Sequence, residues 1–140
     1  MSVVKDLMTT NLATCNSSDD LVTVAQRMKE EDVGFVPLVE KDKYVGVVTD
    51  RDIVVKGLAK GTADNVKASD VMTENIITGY PDMDVSEAAR LMQEHQIKRL
   101  LVVENESIQG VVSLGDVASQ GVAEAAADIV REVSKGAANN

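Results

Sequence analysis

The sequence predicts a mixed α/β (α+β) architecture: two tandem β-α-β-β-α repeats, with one further helix at the C-terminus. Three observations predict it. Residues Asp6–Ile53 recur without a gap, 64 positions later, as Asp70–Val117, with about 15 of the 48 aligned positions identical, among them Met8/Met72, Asp20/Asp84, Gly46/Gly110 and Asp52/Asp116. Each copy carries apolar residues at i, i+3, i+4 and i+7, the stripe of a helix that packs on one face. Each copy then carries two apolar runs joined by a short charged turn, the pattern of a hairpin.

The elements follow in order. In the first copy Leu12–Thr14 reads as a short strand, and Asp20 or a neighbour caps a helix whose stripe is Leu21, Val24, Ala25 and Met28. Phe35–Val39 and Tyr44–Thr49 form the hairpin, and Gly57–Ala68, with Gly61, Thr62, Asp64 and Asn65, reads as a connector. In the second copy Asp84 and Glu87 make a capping-box pair for a helix with the stripe Val85, Ala88, Ala89 and Met92. His95, the single histidine, falls at the end of that helix. Arg99–Val103 and Ile108–Ser113 form the second hairpin. Val122–Val133 places Ala125, Ala126, Ile129, Val130 and Val133 on one side, an amphipathic helix ending before Gly136. It can pack on its own domain or against a second chain.

Runs such as Val45–Val48 are apolar on both faces, as in a sheet covered on each side. A three-stranded sheet with two helices leaves one face bare, and a second copy about a pseudo-twofold axis would cover it. The expected organisation is therefore one module over residues 1–121, with repeats at about 4–57 and 68–121 and a connector at 58–67. Residues 122–140 then form a C-terminal helix and tail.

Each copy closes on the same phrase, Gly46-Val47-Val48-Thr49-Asp50-Arg51-Asp52 and Gly110-Val111-Val112-Ser113-Leu114-Gly115-Asp116. A strand feeds a hydroxyl at a helix N-cap, where the partly positive helix end suits a phosphate. One turn on, Asp52 or Asp116 can accept two hydrogen bonds from a vicinal diol such as a ribose. Ser/Thr-x-x-Asp is equally an ordinary capping box that only starts a helix.

On these residues the chain resembles a tandem pair of cystathionine-beta-synthase (CBS) domains, the Bateman module, over nearly everything from Val4 to Gly121. The likeness rests on the openings Asp6–Thr9 and Asp70–Thr73, on Val36-Pro37-Leu38-Val39 and Leu100-Leu101-Val102-Val103, and on the two Gly-h-h-Ser/Thr-x-x-Asp phrases, where h is apolar. Thr49–Ile53 and Glu94–Arg99 are similar to segments of small stand-alone bacterial CBS pairs. The resemblance implies repeats packed sheet to sheet, with two clefts at the edges of the joint, and a homodimer of flat pairs. It implies an adenosine-containing ligand such as AMP, ADP, ATP or S-adenosylmethionine, with magnesium a candidate companion. Ribose would fall to Asp52 and Asp116, and phosphate to Thr49, Arg51, Ser113, Lys98 and Arg99. By position the base would lie near Thr14, Asn16 and Val36 in one copy and Thr78, Tyr80 and Leu100 in the other.

The two clefts are expected to differ. Lys98 and Arg99 precede the second strand where Gly34 and Phe35 precede the first, so the second is the better nucleotide site. The first, with Arg51 and Lys56 close by in sequence, suits adenosine with little phosphate, for example S-adenosylmethionine.

Composition narrows the classes. An apolar fraction of 44% with 2% aromatics predicts an aliphatic core. The apolar runs are too short to cross a bilayer, and no basic stretch leads into an apolar run at the N-terminus, so a cytoplasmic location is expected. Leu12-Ala13-Thr14-Cys15 faintly mimics a lipoprotein cleavage site, but Lys5, Asp6, Thr9, Thr10 and Asn11 stand where the apolar region belongs. A net charge of −9 repels polyanions, so no nucleic-acid partner is expected. Cys15 is a lone thiol, expected half-buried, and no metal-ligand cluster is visible.

Three functions compete. The first is a non-catalytic sensor that passes adenosyl-ligand occupancy to an unidentified protein effector or to its own oligomer. The second is a ligand-independent dimerisation or interaction module. An enzyme fits least, since no nucleophile is paired with a base and no carboxylates are strongly paired.

Overall fold

The computed structural model describes residues 2–60, 65–119, 130, 131 and 133. Two three-stranded sheets are present, in the orders β1-β2-β3 and β4-β5-β6. The strands are β1 (Cys15–Asn16), β2 (Phe35–Glu40), β3 (Lys43–Thr49), β4 (Thr78–Gly79), β5 (Arg99–Glu104) and β6 (Ser107–Ser113). The helices are α1 (Leu21–Glu31), α2 (Asp50–Asp52), α3 (Ala68–Val71), α4 (Val85–His95) and α5 (Leu114–Ser119). The mixed α+β class and the β-α-β-β-α order of each copy agree with the sequence expectation. The first strand is Cys15–Asn16, one residue past the Leu12–Thr14 that the sequence predicts.

The chain forms two compact units, Ala13–Ile76 and a second made of Met1–Leu12 with Ile77–Asn140. The boundary differs from that of the sequence repeats, because each opening segment is built into the unit that holds the other copy's hairpin. Thr73 exchanges both backbone hydrogen bonds with Val47 (2.9 and 3.0 Å) in one unit, and Thr9 does so with Val111 (2.8 and 3.0 Å) in the other. The glycine of each phrase exists for this contact. A Cβ on Gly110 would lie 2.6 Å from the Thr9 carbonyl oxygen and 2.9 Å from Met8 Sδ, and one on Gly46 would lie 2.8 Å from Met72 Sδ.

In the Ala13–Ile76 unit, α1 crosses over between the parallel strands β1 and β2, and β2 turns back antiparallel into β3. Val36, Leu38 and Val48 put one sheet face into a core with Leu21, Val24 and Met28 of α1 and Val71 of α3. Asp20 caps α1, its carboxylate accepting from Thr23 N–H at 2.8 Å, and Leu21 N–H donates to the Val66 carbonyl at 3.2 Å. Ala25, expected on the packed face, is exposed. Past α2 the chain winds as a π-helix (Ile53–Gly57) and a 3₁₀ turn (Leu58–Lys60). Cys15 is more buried than half, at 6% exposure, and burial holds its thiol above the ordinary value.

The other unit repeats this plan with Leu100, Val102 and Val112 against Val85, Ala88, Ala89 and Met92 of α4. Here Ala89 is buried, and Val133 joins the same core at 2% exposure. Val133 is helical, as are Val130 and Arg131, and the rest of the expected C-terminal helix lies outside the described residues. The capping box expected from Asp84 and Glu87 does not form. Asp84 is the N-cap residue without a side-chain cap bond, and the Glu87 carboxylate accepts from Tyr80 Oη at 3.3 Å. The helix end is finished from the other end of the chain, Val85 N–H donating to the Ser2 carbonyl at 3.1 Å. Val, Leu, Ile, Ala and Met build both cores, as the scarcity of aromatics predicted. Among the described residues no helix is long and apolar enough to cross a membrane.

Candidate functional site

Both Ser/Thr-x-x-Asp phrases fold as the strand-to-helix turn expected of them, and both close a capping box. Thr49 Oγ1 accepts from Asp52 N–H at 3.1 Å while Asp52 Oδ2 accepts from Thr49 N–H at 2.9 Å. The second turn repeats this, Ser113 Oγ accepting from Asp116 N–H at 3.0 Å and Asp116 Oδ2 from Ser113 N–H at 2.9 Å. The cap uses one carboxylate oxygen and locks the rotamer, which leaves the other oxygen outside the cap. Asp52 is buried and Asp116 half-buried.

The hairpin register decides what stands opposite each hydroxyl. Arg99 pairs with Ser113, and Phe35 pairs with Thr49. One residue earlier, the Lys98 carbonyl accepts from Leu114 N–H at 2.9 Å, and the Gly34 carbonyl accepts from Asp50 N–H at 2.9 Å. The second turn thus gathers Lys98, Arg99, Ser113 and Asp116 at one sheet end, with both cations exposed. The first gathers Thr49, Asp52 and exposed Arg51, together with a further carboxylate. Asp50 Oδ2 lies 3.1 Å from where a Cβ on Gly34 would be, so this glycine leaves room for the Asp50 side chain. Lys56 adds an ion pair to Asp52, Nζ to Oδ1 at 3.2 Å. Its signal in the sequence is the Asp-x-x-x-Lys spacing, i to i+4 on a helix.

The positions read as base contacts are more scattered. Thr14 and Thr78 are half-buried beside the central strand, Thr78 pairing with Leu101. Val36 and Leu100 are fully buried among core side chains, so only their backbone is available to a ligand. Asn16 pairs with Val39, four residues along β2 from Phe35, which places it about 13 Å from the Thr49 end of the sheet. Its side-chain oxygen accepts from the Ser18 amide (3.0 Å) and hydroxyl (2.8 Å). Tyr80 follows Gly79, which pairs with Val102, and its phenol turns to Glu87, whose charge pushes the phenol pKa up. The register thus brings neither Asn16 nor Tyr80 to the capped turns.

Among the described residues no group of three or more His, Cys, Asp or Glu side chains is placed to hold a metal ion. His95 is the exposed last residue of α4. Each turn brings together a fixed carboxylate and a hydroxyl, with Arg51 and Lys56 beside the first and Lys98 and Arg99 beside the second.

The chain is similar in sequence and fold to known proteins. "CBS domain-containing protein YhcV" of Bacillus subtilis (strain 168) is 40% identical over 118 residues, spanning 84% of each chain. A crystal structure of Hypoxic Response Protein I with two coordinated zinc ions superposes with a TM-score of 0.75 at 30% identity, over 84% of this chain and 98% of that one. The CBS domain pair of protein MJ0100, in complex with 5′-methylthioadenosine and S-adenosyl-L-methionine, gives 0.70 at 28% identity, over 86% and 95%. CBSX2 in complex with AMP gives 0.74 at 25% identity, over 87% and 97%. The CBS domain model matches twice, over residues 4–57 and 68–122, and these matches take in both capped turns. The chain belongs to the CBS domain family and carries two copies of the domain.

Proposed function

We propose that the chain is a non-catalytic regulatory module whose activity is the binding of an adenosine-containing ligand: AMP, ADP, ATP or S-adenosylmethionine. The observation that carries this reading is the second capped turn. There one sheet end holds a carboxylate for the ribose diol (Asp116), a hydroxyl (Ser113) and two cations for phosphate (Lys98, Arg99). The complexes of MJ0100 with adenosyl ligands and of CBSX2 with AMP support the ligand class. In the first turn Asp52 takes the ribose, with Thr49 and Arg51 nearby and no cation from β2. This favours an adenosyl ligand with little phosphate, such as S-adenosylmethionine. Thr14 and Thr78, with the backbone at Val36 and Leu100, are the nearest of the proposed base contacts. Occupancy reaches a partner protein or a second copy through differential affinity for two conformations.

The test is thermal unfolding with AMP, ADP, ATP, S-adenosylmethionine, NADH and adenosine, each with and without magnesium. A ligand at about 100 times its Kd adds roughly 2.7 kcal/mol, a shift of several degrees for a chain of this size. A flat response across the panel removes the reading.

A second reading is a ligand-independent dimerisation or interaction module. It is favoured by apolar side chains left in water in one unit, Val22 of α1 with Val54, Val55 and Leu58, each 48–56% exposed. Its signature is a stable dimer whose dissociation constant no nucleotide alters.

A further inference from the structure

The two capped turns have the same backbone bonds and different electrostatics. Asp52 Oδ2 takes the Thr49 N–H, and its other oxygen is paired with the Lys56 ammonium at 3.2 Å. The Asp52 side chain is 12% exposed and the Lys56 side chain 44% exposed, so the pair stands at the surface of the turn. Asp116 Oδ2 takes the Ser113 N–H, and no ion pair is made to Asp116 among the described residues. Position 120, which corresponds to Lys56 in the second copy, is an uncharged glutamine.

To hold a vicinal diol, a carboxylate must accept two O–H bonds on lone pairs that face outward. At Asp116 no ion pair with a described residue is shown on those lone pairs. At Asp52 an ammonium already sits on them, so a neutral ribose must share Oδ1 or displace Lys56. We propose, on the reading that the capped turns bind ribose, that Lys56 is a specificity-determining residue which competes with the ligand for Asp52. It makes the first turn the weaker of the two for an uncharged nucleoside.

Partly exposed ion pairs are weak, so Lys56 lowers affinity without closing the site; the penalty is about fivefold. A ligand that carries a phosphate escapes part of it. The ammonium displaced from Asp52 stands on a flexible four-carbon stem and can re-pair with the phosphate. Lys56 therefore offsets part of the first turn's preference for ligands with little phosphate, a preference that comes from β2 supplying no cation there.

The experiment is isothermal titration of the full chain with adenosine and, separately, with AMP. The proteins are the wild type, Asp116→Ala, Asp116→Ala/Lys56→Gln and Asp116→Ala/Lys56→Arg, with thermal melts to establish that each is folded. Asp116→Ala should leave only the weaker adenosine event. Adding Lys56→Gln should tighten that event about fivefold and tighten AMP less, or weaken it. Lys56→Arg, which keeps a cation within reach of Asp52, should not tighten adenosine. Unchanged adenosine affinity in the Lys56→Gln protein overturns the proposal, as does an equal gain for adenosine and AMP. Weaker adenosine binding also overturns it, since Lys56 would then be a direct ligand contact. If the wild type binds adenosine and the Lys56→Gln protein shows no gain, Lys56 alone is misassigned. If no protein binds either ligand, the ribose reading of both turns falls.

Discussion

Arg99 of β5 stands directly across the ladder from Ser113 of β6, at the register position where Phe35 faces Thr49 in the other sheet. A guanidinium beside a hydroxyl is a phosphate-recognition pair, whereas a phenyl beside a hydroxyl is not. Arg99→Ala should therefore weaken AMP about 10-fold or more and adenosine by less than about twofold. Titration of the two ligands into the variant decides it, and equal losses would assign Arg99 a role other than reading phosphate.

Asp116 has one oxygen in its cap, and the proposed ribose contact falls to the other. A lost hydrogen bond to a charged group costs about 1.5–3 kcal/mol, so Asp116→Ala should reduce affinity roughly 10- to 150-fold. The same change removes half of the capping box, so the variant should also melt earlier. An unchanged affinity with a lowered Tm would leave Asp116 as a cap alone.

Gly110 and Gly46 are the same letter of the repeated phrase, yet their neighbours differ in how far they can yield. A Cβ on Gly110 meets the Thr9 carbonyl oxygen at 2.6 Å, whereas on Gly46 the nearest atom is Met72 Sδ at 2.8 Å and the matching Thr73 carbonyl oxygen is at 3.0 Å. Gly110→Ala should destabilise by about 1–3 kcal/mol and Gly46→Ala by less. Denaturant unfolding of the two variants would refute this ordering if Gly110→Ala were the more stable.

Asp20 caps α1, and the hydrogen bonds it accepts from Thr23 hold its carboxyl below the ordinary value. A carboxyl depressed in the folded state adds stability above its unfolded pKa of about 3.9, and that contribution disappears as pH falls through the folded value. Asp20→Asn keeps a capping side chain and removes the charge. Its Tm should lie below that of the wild type at pH 6, and the two should converge as pH is lowered past about 4. A gap that stays constant down to acid pH would mean that the charge of Asp20 adds nothing.

Several expectations rested on local periodicity and were legible for that reason. Helices α1 and α4, the two hairpins, the Asp20 cap and the Thr49 and Ser113 turns depend on residues within a few positions of one another. Asp84 shows where such reading stops. It has the spacing of a capping box with Glu87, but Ser2 supplies the carbonyl for Val85 N–H and Tyr80 takes the Glu87 carboxylate. A partner far away in the chain replaced the local one.

By itself the sequence determined that one supersecondary unit is written twice, that its core is aliphatic, and that each copy ends in a capped turn with an aspartate one turn on. Only the tertiary structure decided that the opening segments trade places, Thr9 pairing with Val111 and Thr73 with Val47, so that Gly110 and Gly46 must lack a side chain. It likewise decided that Ala25 is exposed while Ala89 is buried, that Asn16 and Tyr80 lie away from the capped turns, and that Lys56 sits on Asp52. The reason is physical. Repeats, caps and stripes are short-range patterns that the chain satisfies alone, whereas two openings that differ only at Leu7 and Val71 can pair with either hairpin. Which one they choose follows from the summed packing of segments that are not neighbours in the sequence.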